Sequence, residues 1–135
     1  MADISVTAAN VVPGSEAIYV DGTAGETITA GMTCYLGTDS KYYKADNNDT
    51  AAKAVVKGIA LNGASLNQPI RIQTGGTITI GATVAVGTIY VQSTTAGGIA
   101  PSADLATGNY VTILGVATTA AIIKLGLNVS GIAKA

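Results

Sequence analysis

Short runs of alternating apolar and polar residues, separated by Gly, Asn, Asp and Ser, recur along the chain after its first 16 residues. Residues 69–73 and 77–80 show this alternation most clearly, with one apolar and one polar face, as in half-buried strands. The Gly75-Gly76 pair between them predicts a hairpin turn. The predicted strands are 17–20, 26–28, 32–36, 41–45, 57–61, 68–73, 77–80, 83–86, 88–92, 110–118 and 121–127. Only residues 49–56 favour a helix, of one or two turns.

The most informative feature is an internal repeat. One copy begins at 27–31, continues through the strand 32–36 and ends in Gly58-Ile59-Ala60, and the other begins at 83–87 and ends in Gly115-Val116-Ala117. A further strand follows each copy. A single hairpin unit has too little apolar surface to stand alone, so two units packed face to face, or wound into one barrel, would share a core. Gly58 and Gly115 are expected where a strand bends or another backbone comes close.

Residues 1–14 precede the first predicted strand and end in the turn signal Val11-Val12-Pro13-Gly14. Nothing in them is periodic enough for a helix, so they predict an extended arm in front of a domain at 15–135. The expected fold is therefore an all-β, small β-barrel-like domain with an internal pseudo-repeat and an extended N-terminal arm.

Composition indicates a protein whose surface meets other proteins. The chain has 135 residues, no Trp or Phe, only 11% charged residues and a net charge of −1, and its mean hydropathy is positive. Large permanent assemblies tolerate such surfaces. No basic stripe suggests nucleic acid as a partner, because acidic residues are interleaved with the lysines at 41–57. No apolar run is long enough to span a membrane, and the first residues do not form a signal peptide. We therefore expect synthesis in the cytosol.

The usual residues of catalysis are missing. With no His and a single Cys, the chain lacks the parts for Ser-His-Asp or Cys-His triads and for thiolate metal clusters. Asp46 and Asp49 faintly resemble a calcium loop but lack its Gly and closing Glu, so a turn is favoured. Cys34 lies in a strand pattern and is expected to be a buried small side chain. We expect no enzymatic activity, no cofactor and no metal.

The pattern of glycines and strands is similar to that of bacteriophage capsid decoration (cement) proteins, the small β-rich head decoration family. The likeness extends over most of the chain, from about residue 24 to residue 127. It rests on Gly58-Ile59-Ala60, on the run from Gln68 to Gly76, on Gly87-Thr88-Ile89-Tyr90-Val91, on the run from Thr95 to Pro101 and on Gly115-Val116-Ala117.

This resemblance implies a β-barrel or β-tulip fold that forms a homotrimer on the outer capsid surface of a virion, where it bridges subunits of the major capsid protein. Neither nucleic acid nor a membrane is implied as a partner. It also implies that the arm adds a strand to a sheet of the capsid protein. Alternatively, the arm is an ordinary edge strand of its own domain. The candidate capsid-binding residues of the arm are Asp3, Ile4, Ser5, Val6, Thr7, Val11 and Val12.

A second function remains open, that of a phage fibre or tail module that binds a host surface or carbohydrate. Sugars stack on exposed aromatic rings, and the adjacent pair Tyr42-Tyr43 is the best candidate in this sequence. Alternation along a strand would place one of the two rings inside and the other outside.

Overall fold

The computed structural model describes residues 2–135, and Met1, the first residue of the predicted arm, lies outside them. The described chain is all-β, as the sequence predicted. Its strands are β1 (Val12–Pro13), β2 (Ile18–Thr23), β3 (Thr33–Leu36), β4 (Tyr42–Lys44), β5 (Val56–Ala60), β6 (Pro69–Gly75), β7 (Thr77–Thr79), β8 (Ile89–Gln92), β9 (Ile99–Pro101), β10 (Tyr110–Ala117) and β11 (Ile122–Ala133). Short 3-10 turns lie at Ala8–Asn10, Ala52–Ala54 and Ser102–Asp104.

The strands form two antiparallel sheets. One has the order β2-β6-β5-β3-β4, and the other has the order β1-β7-β11-β10-β8-β9. Both sheets keep free edges, so the predicted barrel is barrel-like only in the loose sense that two curved sheets share a core.

The internal repeat is present, and it is larger than the sequence indicated. Strands β2 to β6, the first unit, have the order β2-β6-β5-β3-β4, and strands β7 to β11, the second unit, have the matching order β7-β11-β10-β8-β9. Each unit therefore also contains a leading strand, β2 or β7, that pairs with its last strand. Strand β1 is the one addition, and it extends the second unit beyond β7.

Local contacts repeat with the topology. The Gly31 N–H donates to Ala60 and the Gly87 N–H to Ala117, both at 2.8 Å, and both glycines have positive φ, at 91° and 80°. At Gly58 an added Cβ would lie 2.1 Å from the Gln73 carbonyl oxygen, and at Gly115 it would lie 2.1 Å from that of Lys124. The ladder register shifts beside each of these glycines. The predicted strand bend and close backbone approach are thus both confirmed.

The two units pack head to tail. We call the side of each unit that carries Ile72 or Ile123 its front face, and the side that carries Ile59 or Val116 its back face. Ile123 of the second unit lies in a large core with Ile59 of the first, whereas Ile72, the counterpart of Ile123, lies in a separate smaller core. The front face of the second unit therefore covers the back face of the first.

Buried polar bonds join the units across this contact. Gln92 and Thr33 are both fully buried, and the Thr33 hydroxyl donates to the Gln92 side-chain oxygen. The Gln92 amide donates to the Ala45 carbonyl at 2.8 Å. At the position equivalent to Gln92 the first unit has Leu36, which is 42% exposed. The contact between units is therefore specified by hydrogen bonds as well as by apolar packing.

Several local predictions were wrong. Residues 26–28 and 83–86, which are equivalent in the repeat, are not strands, although Ile28 makes an isolated bridge to Ala64. The Gly75-Gly76 pair does not close a hairpin, because β6 and β7 belong to different sheets and the chain crosses between units there. The helix predicted at 49–56 is a single 3-10 turn, Ala52–Ala54. Strands β1 and β9 were missed.

Candidate interaction surfaces

The N-terminal segment lies against its own domain. The Ile4 N–H donates to the Ile99 carbonyl at 2.9 Å, and the Thr7 N–H donates to the Gly81 carbonyl at 2.8 Å. Ile4 and Val6 are partly buried against the large core, and Val11 belongs to it. The Asp3 carboxylate accepts a hydrogen bond from the Ser93 hydroxyl, whereas Ser5 is exposed.

The end of the segment is an edge strand of its own sheet. Val12 pairs with Thr79 and Pro13 with Ile78, and Val12 itself is 52% exposed. Val12 therefore lies in an edge strand of its own domain, which was one of the two alternatives for the arm. Residues 4–7 form no strand in this state, and their role as a capsid anchor stays a prediction.

The back face of the second unit is uncovered around Val116 and Ile89, although Val91 on the same face is buried, and the sequence did not reveal this exposure. Val116 is 39% and Ile89 is 40% exposed, and the two residues pair directly across β10 and β8. Their counterparts in the first unit, Ile59 and Thr33, are fully buried. Lys124, the cross-strand neighbour of Val116, is an exposed cation on this face. The repeat thus contains one back face that is covered and one that is open.

The tyrosine pair lies at the β3–β4 hairpin. Tyr42 is buried and Tyr43 is half-buried, so the expectation of one ring inside and one outside is confirmed. The Tyr43 ring stacks on Tyr35 with centroids 5.7 Å apart and an angle of 27° between planes. The two rings line a shallow groove of about 340 Å³ with Asp39 and Lys53.

Electrostatics around this groove are mostly satisfied. The Tyr43 hydroxyl donates to the Asp39 carboxylate, and this hydrogen bond is the main cause that lowers the pKa of Asp39 and raises the pKa of Tyr43. Lys53 forms an ion pair with Asp49. Lys44 likewise pairs with Glu26, whereas Lys41 donates to the Asn67 side chain.

The cysteine is buried, and the acidic and cysteine side chains of the described residues form no metal-ligand cluster. Cys34 is fully buried, as predicted, and burial, followed by the nearby Glu26 charge, raises the pKa of its thiol to about 12. Asp46 accepts the Asn48 N–H in a local turn. Within residues 2–135, no cluster of three or more acidic or cysteine side chains could hold a metal ion, and no helix has the length and apolar character needed to cross a membrane.

Comparisons with known proteins add no relative. No protein-family model matches the chain, and no curated protein sequence matches it. Any functional assignment therefore rests on the surfaces described above and on the sequence resemblance.

Proposed function

We propose that the protein is a structural virion protein that binds the outer surface of a phage capsid as a homotrimer and stabilises the mature lattice by bridging capsid subunits. The observation that carries the proposal is the open back face of the second unit. Its apolar residues occupy positions that are buried in the first unit, so the same kind of surface is already used for packing within this chain. The resemblance to decoration proteins supplies the capsid as the partner.

Such a role needs no reactive group. A protein that binds the mature lattice, and not the immature one, stabilises the mature lattice by mass action. A trimer that engages three sites at once gains from effective concentration, so weak single contacts become durable. The low charge of the chain fits a surface of which a large part is covered by neighbours.

The N-terminal segment is proposed as a second contact with the capsid. Residues 2–7 lie outside the strands and leave cavities on either side, of about 230 Å³ beside Ile4 and about 400 Å³ beside Ser5. Loosely packed terminal segments are the ones most readily released from a domain. Once released, Ile4-Ser5-Val6-Thr7 would add to a sheet edge of the capsid.

Pelleting with empty expanded capsids tests the main proposal. Wild-type protein should bind saturably, at a fixed ratio to capsid subunits. Val116→Lys places a charge in the open back face and should weaken binding at least about tenfold. Leu66→Lys is the matched control, since Leu66 is an apolar residue of the first unit that is 59% exposed. Absence of wild-type binding would refute the function, and full binding by Val116→Lys would refute the back face as the docking surface.

Deletion of residues 2–7 tests the segment separately. This deletion retains Val11, which a cut at Pro13 would remove from the core. Weaker capsid binding is expected, with a modest fall in the unfolding midpoint because Ile4 and Val6 pack against the core. Undiminished binding would show that the segment is not an anchor.

The groove at Tyr35 and Tyr43 favours a second candidate function, the binding of carbohydrate on a host surface. Stacked rings beside a carboxylate offer a sugar both an apolar face and a hydrogen-bond acceptor. Glycan-array binding that is lost in Tyr35→Ala and kept in Tyr19→Ala, combined with no binding to capsids, would replace the capsid proposal with this one.

A further inference from the structure

Strand β2 is the one long sheet edge that the described chain leaves open. The edge strand β1 has two residues, one of them proline. The β9 edge is covered where Ile99 accepts the Ile4 N–H, and the β4 edge where Tyr42 accepts the Gly25 N–H. Strand β2 has six residues. Short strands, prolines and covering segments commonly protect sheet edges, as do charges and bulges. Strand β2 has none of the first three, and only the charge of Asp21 and a register shift between Ile18 and Tyr19 interrupt it.

The direction of the β2 backbone groups follows from its neighbour. Arg71 uses its N–H on Asn62 and its carbonyl on Leu61, both on the β5 side. Asp21, which pairs with Arg71, therefore forms a non-hydrogen-bonded pair and turns its own N–H and carbonyl to the open edge. Alternation gives Tyr19 and Thr23 the same direction. Strand β2 thus presents a row of unpaired donors and acceptors.

Apolar side chains accompany this open row. Ile18 is 62%, Tyr19 is 46% and Val20 is 41% exposed. In the second unit the equivalent strand, β7, has its outer edge filled by the antiparallel strand β1. The same position in the repeat is therefore occupied in one unit and vacant in the other.

We propose that β2 pairs antiparallel with β2 of a second copy of this chain, about a twofold axis at Val20. This register sets Val20 against Val20 and Tyr19 against Asp21, and it would form about four hydrogen bonds from Tyr19 and Asp21, because each hydrogen-bonded pair exchanges two. It also covers Ile18, which lies on the same side of the strand as Val20.

Charge argues against one register in which the outward-facing groups meet, and coverage of Ile18 argues against another. A twofold axis at Asp21 places two carboxylates directly opposite each other, which is destabilising. A twofold axis at Gly22 would leave the exposed Ile18 outside the paired part of the strand and therefore uncovered. With the axis at Val20, Asp21 keeps its bidentate bond to Arg71, at 2.7 and 3.1 Å, and faces a neutral ring. The strand is therefore self-complementary in this register.

Disulfide cross-linking of the purified full-length chain tests the register. Across the proposed interface Val20 and its mate form a non-hydrogen-bonded pair, with Cα atoms about 4.5 Å apart, inside the range that a disulfide bridges. Mild oxidation of Val20→Cys should give a covalent dimer on a non-reducing gel. Ile18→Cys is the matched control, because Ile18 is more exposed but faces Gly22 of the partner and should stay largely monomeric. Cys34 is buried in both variants.

Equal cross-linking of the two variants would indicate random collision and overturn the proposal, as would a lack of cross-linking in Val20→Cys. Sedimentation over a concentration series gives a second readout. If β2 pairs as proposed, the wild-type protein should form a species of twice the mass of whatever it forms without that pairing. Val20→Lys should remove this heavier species. Ile132→Lys, at another apolar position that is 67% exposed, should keep it. Persistence of that species in Val20→Lys would also refute the pairing. No capsid is present in either experiment, so failure here is distinguishable from failure of the capsid proposal.

Discussion

The two units of this chain have the same strand order and opposite surroundings. Ile59 and Val116 occupy equivalent positions, yet Ile59 is fully buried between the units and Val116 is 39% exposed. Ile72 and Ile123 are also equivalent and lie in different cores. A repeated backbone therefore does not fix which face of each unit is covered. Order along the stack fixes it, and the last unit is left with an open face.

The sharpest test of this difference is a pair of alanine substitutions at equivalent positions. Ile59→Ala should lower the free energy of unfolding by about 4 kcal/mol, because it leaves a cavity in the shared core. Val116→Ala should change it by less than about 0.5 kcal/mol, since the side chain is partly in solvent. Urea unfolding of both variants measures the difference. Similar losses would mean that the open face is covered in the free protein.

What the units share is tested by their glycines. Gly58→Ala and Gly115→Ala should each cost about 3 kcal/mol, because each new Cβ would meet a backbone carbonyl at 2.1 Å and the strands would have to move apart. Gly126→Ala is the control, as an added Cβ there has no atom within 4 Å. Thermal unfolding provides the comparison. A cost at only one of the two glycines would contradict their equivalence.

The polar joint between units should have a smaller effect. Gln92→Leu leaves the buried Thr33 hydroxyl without its acceptor and should cost about 2 kcal/mol. The double variant Thr33→Val with Gln92→Leu should recover part of this loss, because both partners are then apolar. A double-mutant cycle from chemical unfolding gives the coupling. Additive effects would show that the bond does not contribute to joining the units.

The smallest expected effect is a response to acid that only the first unit has. Hydrogen bonds from Arg71, supported by its charge, lower the pKa of Asp21, whereas Thr79 and Ile122 pair at the equivalent position of the second unit. Because the folded pKa is the lower one, the ion pair stabilises the fold above the unfolded pKa, and this stabilisation is lost as pH falls through the folded pKa.

The effect is modest, since both side chains are exposed. In an NMR titration, amide signals of β2 should shift at low pH more than those of β7. The Asp21→Asn variant should remove the difference. Equal shifts in the two strands would contradict the assignment.

The repeat could be recognised in the sequence because it is marked by glycines that no other residue can replace without strain or collision. Gly31 and Gly87 need positive φ, and Gly58 and Gly115 need space, so substitution is costly at all four positions. The errors have equally local causes. Residues 26–28 and 83–86 have a strand-like composition but lead into the turns at Gly31 and Gly87, and they were misassigned in both copies for the same reason.

The packing of the units could not be read from the pattern. Residues 113–117 are apolar on both faces, and in 56–60 the face that carries Ile59 also carries Lys57 although it is the covered one, so alternation does not indicate which face the other unit covers. Strand β6 pairs with β5 and β2, and β7 pairs with β11 and β1. Because local alternation does not specify these partners, a hairpin was predicted at Gly75-Gly76, where the chain changes sheets. The candidate arm residues precede β2, and the hydrogen bonds of Ile4 and Thr7 to Ile99 and Gly81 depend on distant contacts that no local signal specifies.

The single residue Gly76 between β6 and β7 has an engineering consequence. Because the connection is so short, the second unit has a fixed orientation relative to the first. The two-unit stack is therefore polar: the back face of the first unit is covered, and further units could be added only at the back face of the second. A third module that replaced residues 127–135, with Gly126 at the position of Gly75, would meet the back face of the second unit. Addition of such modules in tandem would lengthen the protein without redesigning either existing unit.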